Sequence, residues 1–399
     1  MNYILFDDRS RINLLPFTFT RPVCDIRIGI LTIREKWEHY LLQKTSTLTE
    51  SYLSEKYPLV IMEDNLLING SVLPSPNLIE QITSLSQGSG LVAGKNIIAM
   101  RVNNSEVKRI KTLEDFNWSK ETEVRGDFFK LSHHWDIFSK NGQALSDDFS
   151  LLSAGKSSIT LSNTNTVIGG APVFIEEGAN VECSTMNTSL GPIYIGKNAE
   201  VMEGCTIRGP FALCDNATLK MGTRVYGPTT VGPNCKVGGE INNSVFFSNS
   251  NKAHDGFLGN SVIAEWCNLG ADTNSSNLKN NYSSVKVWSY EKEGYEDSGL
   301  QFCGLMMGDH SKCAINSMFN TGTVVGVNAN IFGSGFPAKF IPSFSWDGAN
   351  NLNTFDFRQA VEVAKRVFER RSVSFTDTDE KILHHVYNAT SRYRYWEKS

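Results

Sequence analysis

From Ile195 onward an aliphatic residue returns every six positions, at Ile195, Val201, Ile207, Leu213, Leu219, Val225, Val231 and Val237, without a break. Four residues after each stands a mostly small residue: Ala199, Cys205, Phe211, Ala217, Thr223, Thr229, Cys235 and Ile241. A period of six is three strand periods of two, so each short strand points its aliphatic residue inward and then turns a corner. A second run repeats the spacing at Met307, Cys313, Phe319, Val325, Ile331 and Pro337, and Ile263 and Leu269 keep it between the two. Corners need residues that tolerate positive φ. Glycine follows the pattern: 23 of the 32 glycines lie between 161 and 340, and only eight in the first 160 residues. Stacked coils satisfy one another's backbone groups, so the expected unit is a solenoid, with about eight or nine three-strand coils once an excursion near 279–301 is set aside. A β-sandwich would show a spacing of about 8–12 residues instead.

Composition excludes several partners. The 38 Lys+Arg and 42 Asp+Glu leave a net charge of -4, which offers no electrostatic footprint for a nucleic acid or an anionic membrane. No apolar run approaches the ~18 residues of a membrane span, and the opening MNYILFDDRS turns acidic too early for a signal peptide, so a cytoplasmic location is expected. Seven of the eight cysteines fall in the glycine-rich part without a C-x-x-C pair. They read as small buried thiols, and no metal site is expected.

This register resembles the left-handed parallel β-helix of the hexapeptide acyltransferases. The resemblance implies a homotrimer of prisms with acyl-CoA in the groove between neighbours. Residues 252–278, KAHDGFLGNSVIAEWCNLGADTNSSNL, break the plain repetition. This stretch is similar to the acetyltransferase site of the bifunctional N-acetylglucosamine-1-phosphate uridyltransferase family, in which a histidine precedes Tyr-Leu-Gly-Asp, then Asn-x-Gly-Ala-Gly-Thr, then an asparagine. Here those places hold His254, Phe257-Leu258-Gly259-Asn260, Asn268-Leu269-Gly270-Ala271-Asp272-Thr273 and Asn277.

An amine attacks a thioester only when unprotonated, and a histidine titrating near neutrality can take up its proton. The resemblance implies His254 as that base, with Asn268 and Asn277 on the amino sugar or acetyl group. Phe257 stands where the family has a substrate-binding tyrosine, and Asp272 where it has a glycine. Ala271 and Gly333 are expected to offer backbone contacts to CoA, and Lys286, in Val285-Lys286-Val287, matches a lysine of the archaeal type. Each has a plainer reading: Asn268 and Asn277 as left-handed corner residues, Lys286 as a solvated loop charge. His310 is expected to be structural, and the His384–His385 pair is not expected to bind metal.

Residues 1–150 lack the hexad and alternate apolar strands (YILF, PLVIM, NIIAM) with helical stretches at 33–42 and 77–85, an α/β pattern. LLPFTFTRPVCDIRIGIL resembles the opening of sugar nucleotidyltransferases, but FDDRSRIN has no glycine for a phosphate loop. Val23 takes the place of the family's lysine, and Ser71 that of its magnesium-binding aspartate. Mg2+ is expected only if this domain is active. Arg9, Arg11, Arg21 and Arg27 could bind phosphate or simply be solvated.

The expected organisation is therefore a degenerate nucleotidyltransferase-like α/β domain (1–155), a β-helix acyltransferase domain (160–345) and a C-terminal helical cap (354–399), whose first helix carries the stripe Phe357, Ala360, Val361, Ala364, Val367 and Phe368. The expected activity is N-acetyl transfer from acetyl-CoA to an amino-sugar phosphate. One alternative adds sugar-1-phosphate nucleotidyl transfer with UTP; another is a non-catalytic trimeric scaffold.

Overall fold

A computed structural model describes residues 1–109, 120–347 and 352–398. The chain packs as two units. The first comprises Met1–Leu14, Thr20–Ile26 and Leu31–His133, and the second Leu15–Phe19, Arg27–Ile30 and His134–Ser399.

Among the described residues the first unit is built on a mixed six-stranded sheet. Its strands are β1 (Asn2–Phe6), β2 (Ser46–Leu48), β3 (Asp64–Asn69), β4 (Ser89–Ala93), β5 (Asn96–Asn103) and β6 (Lys120–Glu123), in the order β2-β1-β3-β5-β4-β6. Helix α1 (Ile33–Leu41) starts in a capping box of Thr32 and Glu35, and α2 (Pro76–Thr83) in a Ser75 cap with proline behind it. PLVIM is not a strand. The central strand is Asp64–Asn69, buried on both faces, while PLVIM runs beside the edge and packs Leu59 and Ile61 on the core around Ile4, Leu67 and Met100. PLVIM is apolar throughout, and a short apolar run does not by itself separate a strand from an extended segment packed on a core.

The second unit is a parallel β-solenoid with three sheets. The first sheet has nine strands from Val173–Ile175 to Phe340–Ile341, the second ten from Asn180–Val181 to Asn353–Thr354, and the third eight from Thr166–Ile168 to Met318–Phe319. Within them every pairing is parallel except the last, where Asn353–Thr354 runs antiparallel to Ser345–Trp346 and covers the open edge of the second sheet. The hexad residues meet inside, with Ile195, Val201, Ile207, Leu213, Leu219, Val225, Val231 and Val237 all in one core. Ile241 belongs to that core as well, in register with Val225, because Gly238-Gly239 shortens its corner. Pro337 is buried but lies outside any strand, since proline has no N–H for the ladder.

The corner between the first and second sheets carries a column of left-handed residues: Asn198, Asn216, Asn234, Asn249, Trp266, His310, Asn328 and Phe344. Asparagine suits that conformation and bulky residues do not. Where Trp266 and His310 replace asparagine, helix α4 (Phe357–Arg370) covers them. Phe368 stacks on Trp266 at 3.9 Å between ring centres and lies 5.8 Å from His310, and Phe357 lies 6.1 Å from Phe344. Arg371 then bonds the Asn234 carbonyl and Asn251 Oδ1, each at 3.0 Å. The helix thus begins by the terminal coil and continues along this edge, and its buried Ala360, Val361, Ala364 and Phe368 are the stripe expected from sequence. Helix α5 (Asp377–Ala389) follows a Thr376–Asp379 capping box.

Before the solenoid, helix α3 (Asn141–Ser153) belongs to the same unit. Asn141 Oδ1 accepts from Gly29 N at 2.8 Å and Asp148 Oδ2 from Ile30 N at 2.7 Å, while Thr230 Oγ1 donates to Gly29 O at 2.9 Å. Phe17 packs on Phe247 at 5.5 Å and Phe19 on Tyr290 at 5.3 Å. Two pieces of the nucleotidyltransferase-like opening are therefore solenoid packing.

Candidate functional site

The break in the hexad falls where expected. Asn251–Lys252 in the second sheet leads through Ala253-His254-Asp255-Gly256 to Phe257–Gly259 in the third, so His254 sits on the edge between these sheets, exposed to solvent. One coil further, Asn268–Leu269 leads through Gly270–Thr273 to Asn274–Ser275. The two corners stack by a bond from Asp272 N to Asp255 O at 3.1 Å, and Asn316 N continues the ladder to Ala271 O at 2.8 Å. Gly333 follows Asn330–Ile331 on this same edge and is exposed. The edge thus brings His254, Ala271 and Gly333 into one line. Asp272 takes φ +60°, which explains how it stands in for a glycine.

Phe257 is half-buried on the outer face of the third sheet, its N–H bonded to Asn274 Oδ1 at 2.8 Å. A Cβ on Gly259 would come 2.6 Å from both Phe257 Cζ and Asn277 Nδ2, so these two side chains flank a notch that only glycine leaves open. Asn277 Nδ2 donates to Asn260 Oδ1 at 2.8 Å. Asn268 lies elsewhere, exposed on the outer face of the second sheet in register with Asn251 and Lys312. Neither Asn268 nor Asn277 is left-handed, so the corner reading fails for both.

Lys286 is exposed in an antiparallel hairpin, Lys286–Ser289 with Gly294–Asp297, which leaves the solenoid between Ser275 and Met306. The hairpin is fixed by aromatic packing: Trp288 stacks on Phe340 at 4.1 Å and Tyr290 meets Tyr393 edge-on at 5.4 Å. The Lys286 carbonyl accepts from Lys339 Nζ at 2.7 Å and would meet a Cβ on Gly322, which places it by the corner between the third and first sheets. In a single chain, then, His254, Ala271 and Gly333 share one edge of the third sheet and Lys286 lies by the other. Phe257 and Asn277 lie between, and Asn268 faces another way.

One group near this site was not singled out from sequence. Lys252 occupies the inner row between Val237 and Leu269, six residues from Phe246 and six from Leu258, and is wholly buried. Burial lowers its pKa to about 8. A lysine at a hexad position was the available signal. His310 is buried in its stack with Trp266 and Phe368, as expected. Among the described residues no group of His, Cys, Asp or Glu is placed to hold a metal ion, the His384–His385 pair included.

In the first unit Asp7 and Asp8 follow β1. Burial raises the Asp7 carboxyl to about 6, although it accepts from Val23 N at 2.8 Å and Thr49 Oγ1 at 2.6 Å. Burial would raise Asp8 too, but Lys130 at 3.0 Å, Ser10 and Asn69 outweigh it and hold Asp8 below the ordinary range. Ser71 Oγ is spent on Asn69 Oδ1 at 2.6 Å. Arg11 pairs with Asp7 and Tyr52, Arg21 is buried, and Arg27 belongs to the other unit and bonds the Ile30 carbonyl. The magnesium that the resemblance implies does not fit these residues: Ser71 supplies no carboxylate, and Asp8 is already neutralised by an ammonium.

Residues 3–157 match the model of a family described as sugar nucleotidyl transferase. The bifunctional protein GlmU of Methanococcus maripaludis is 29% identical over 277 residues, covering 67% of this chain and 60% of its own. The bifunctional sugar-1-phosphate nucleotidylyltransferase/acetyltransferase of Sulfurisphaera tokodaii is 35% identical over 162 residues, or 40% of this chain and 39% of its own. The chain therefore spans about 60% or less of the length of these relatives. A solved Arabidopsis UDP-N-acetylglucosamine acyltransferase overlaps 56% of this chain and 95% of its own at 14% identity, with a TM-score of 0.22.

Proposed function

We propose that this chain, whose sequence is related to the bifunctional GlmU family, transfers an acetyl group from acetyl-CoA to the amine of a sugar phosphate, with His254 as general base. The observation that carries this is the exposed imidazole on the edge of the solenoid, in line with Ala271 and Gly333 and beside the Phe257–Asn277 notch. The amine nitrogen attacks the thioester carbonyl carbon while His254 takes its proton. The tetrahedral adduct then expels the CoA thiolate, to which the imidazolium returns that proton. Phe257 offers a ring face to the sugar without the hydroxyl of its counterpart in the relatives, and Asn277 offers a donor and an acceptor. Main-chain groups at Ala271 and Gly333 would hold CoA along the edge.

Asn268 faces away from Phe257, so one prism cannot close all these residues around one substrate. A homotrimer, with acetyl-CoA and the sugar in the groove between neighbouring prisms, would join Asn268 of one face to the notch of the next. Lys286 would act from the hairpin. The direct test is acetyl-CoA turnover with glucosamine-1-phosphate by wild type and His254→Ala; equal rates sink the proposal. Calorimetry with CoA separates it from a non-catalytic scaffold, which would bind none.

A second reading is favoured by the family match over residues 3–157: sugar-1-phosphate nucleotidyl transfer by the first unit. Against it stand the Asp7–Arg11 and Asp8–Lys130 pairs just after β1 and Ser71. A phosphate brought there would meet carboxylates already paired with Lys130 and Arg11 rather than the backbone N–H groups of a glycine-rich loop. Pyrophosphate release from UTP and N-acetylglucosamine-1-phosphate decides between an active and a degenerate domain.

A further inference from the structure

The corner that carries His254 is built unlike its neighbours. In three other corners between the second and third sheets, the residue four after the inner one carries a hydroxyl that turns back to a corner carbonyl. Thr223 bonds Lys220 O, Thr273 bonds Gly270 O at 2.7 Å and Ser317 bonds Ala314 O at 2.7 Å. Four residues after Lys252 stands Gly256, which supplies no hydroxyl. None could be placed there, because a Cβ on Gly256 would lie 2.2 Å from Thr273 O. The left-handed residue also comes one position later, at Gly256 rather than three after the inner residue as at Asp272. The carbonyls of His254 and Asp255 both turn toward the interior, the latter also accepting from Asp272 N at 3.1 Å, and a buried carbonyl without a donor is costly.

Lys252 supplies the donors. Its Nζ bonds His254 O at 2.7 Å, Asp255 O at 3.0 Å and, one coil below, Gly238 O at 3.3 Å. An ammonium has three N–H bonds, and here three main-chain oxygens receive them. We propose that Lys252 is the positioning residue of this corner: anchored inside the solenoid, its ammonium holds the main chain of His254 and Asp255 so that the imidazole keeps one place on the edge. The catalytic consequence rests on the acetyl-transfer reading; the anchoring does not. An aliphatic side chain, Val237 or Leu269, fills this row in the coils on either side, so what the lysine adds at this coil is its three donors to the corner.

The experiment compares full-length wild type with Lys252→Leu, which restores the regular row, and Lys252→Met, which keeps the length of the chain. Amide exchange is followed by mass spectrometry over 253–256, with 263–269 as internal reference, beside steady-state kinetics with acetyl-CoA and glucosamine-1-phosphate. Both variants are expected to fold, to exchange about tenfold faster or more across 253–256 with the reference unchanged, and to lose about tenfold or more in kcat while KM for acetyl-CoA holds within about twofold. Unchanged exchange, or kcat within about twofold of wild type, overturns the positioning role while wild-type turnover leaves the acetyl-transfer reading standing. A loosened corner in a protein whose wild type transfers no acetyl group refutes that reading and supports the anchor. Loss of the folded state in both variants would assign Lys252 to stability and overturn the proposal.

Discussion

Gly256→Ala should separate the geometry of the His254 corner from the general strain of a left-handed corner. Gly256 has φ +110°, outside the region that even asparagine adopts, and its added Cβ would lie 2.2 Å from Thr273 O, 2.9 Å from Thr273 C and 3.0 Å from Thr273 N. All three are backbone atoms, and Cβ atoms essentially never approach heavy atoms closer than 3.0 Å, so this corner must move by at least 0.8 Å against the next coil. The backbone strain is worth about 1–3 kcal/mol, and a displacement near 1 Å at a base is worth about a hundredfold in rate. Gly222→Ala is the control, at the matching corner with φ +68° and nothing within 4 Å of the new Cβ. It should cost about 1–2 kcal/mol of stability and leave kcat unchanged. The assay is a urea melt of each variant paired with acetyl-CoA turnover. Gly256→Ala retaining wild-type kcat, or Gly222→Ala losing as much activity, would refute the reasoning.

Other consequences can be checked on stability. Phe368→Ala removes the ring stacked on Trp266 and His310 and should cost about 3–5 kcal/mol, read from a denaturant midpoint followed by tryptophan fluorescence; an unchanged midpoint would show that α4 contributes nothing at that edge. Asp7 has a folded-state pKa of about 6 against an ordinary 3.8, raised by burial. Its contribution is therefore fully present below the ordinary value and lost as pH rises through about 6. Asp7→Asn should remove that slope and stabilise the first unit by up to about 3 kcal/mol above pH 6; parallel melts of wild type and variant from pH 4 to 8 would contradict this. Lys130→Met should leave Asp8 buried beside no ammonium and raise its carboxyl above the present position, which carbon-13 carboxyl shifts would report; an unmoved titration would rule out the Asp8–Lys130 pair as its cause.

Much of the solenoid was legible because its cause is local. An aliphatic every six residues, with glycine or asparagine between, dictates a short strand and a corner wherever it occurs, and the run from Ile195 to Val237 does this unaided. The stretch around His254 was legible for the same reason: it is where the pattern fails. Ile241 was misplaced because Gly238-Gly239 deletes part of a corner, and only pairing with Val225 restores the register. PLVIM reads as a strand because it is a short apolar run, whereas the central strand is the next segment, Asp64–Asn69, whose apolar Leu66-Leu67-Ile68 is flanked by asparagines.

By itself the sequence determined the repeat, the position of its break and the residue types gathered there, since each depends on neighbours within a few positions. Tertiary structure decided what those residues share. It set Asn268 on a different face from Phe257, took Leu15–Phe19 and Arg27–Ile30 out of the α/β unit, and laid α4 along the corner where Trp266 and His310 need cover. It also put an ammonium under the His254 corner. Which carbonyls Lys252 would meet depends on stacking one coil upon another, and no local pattern encodes that.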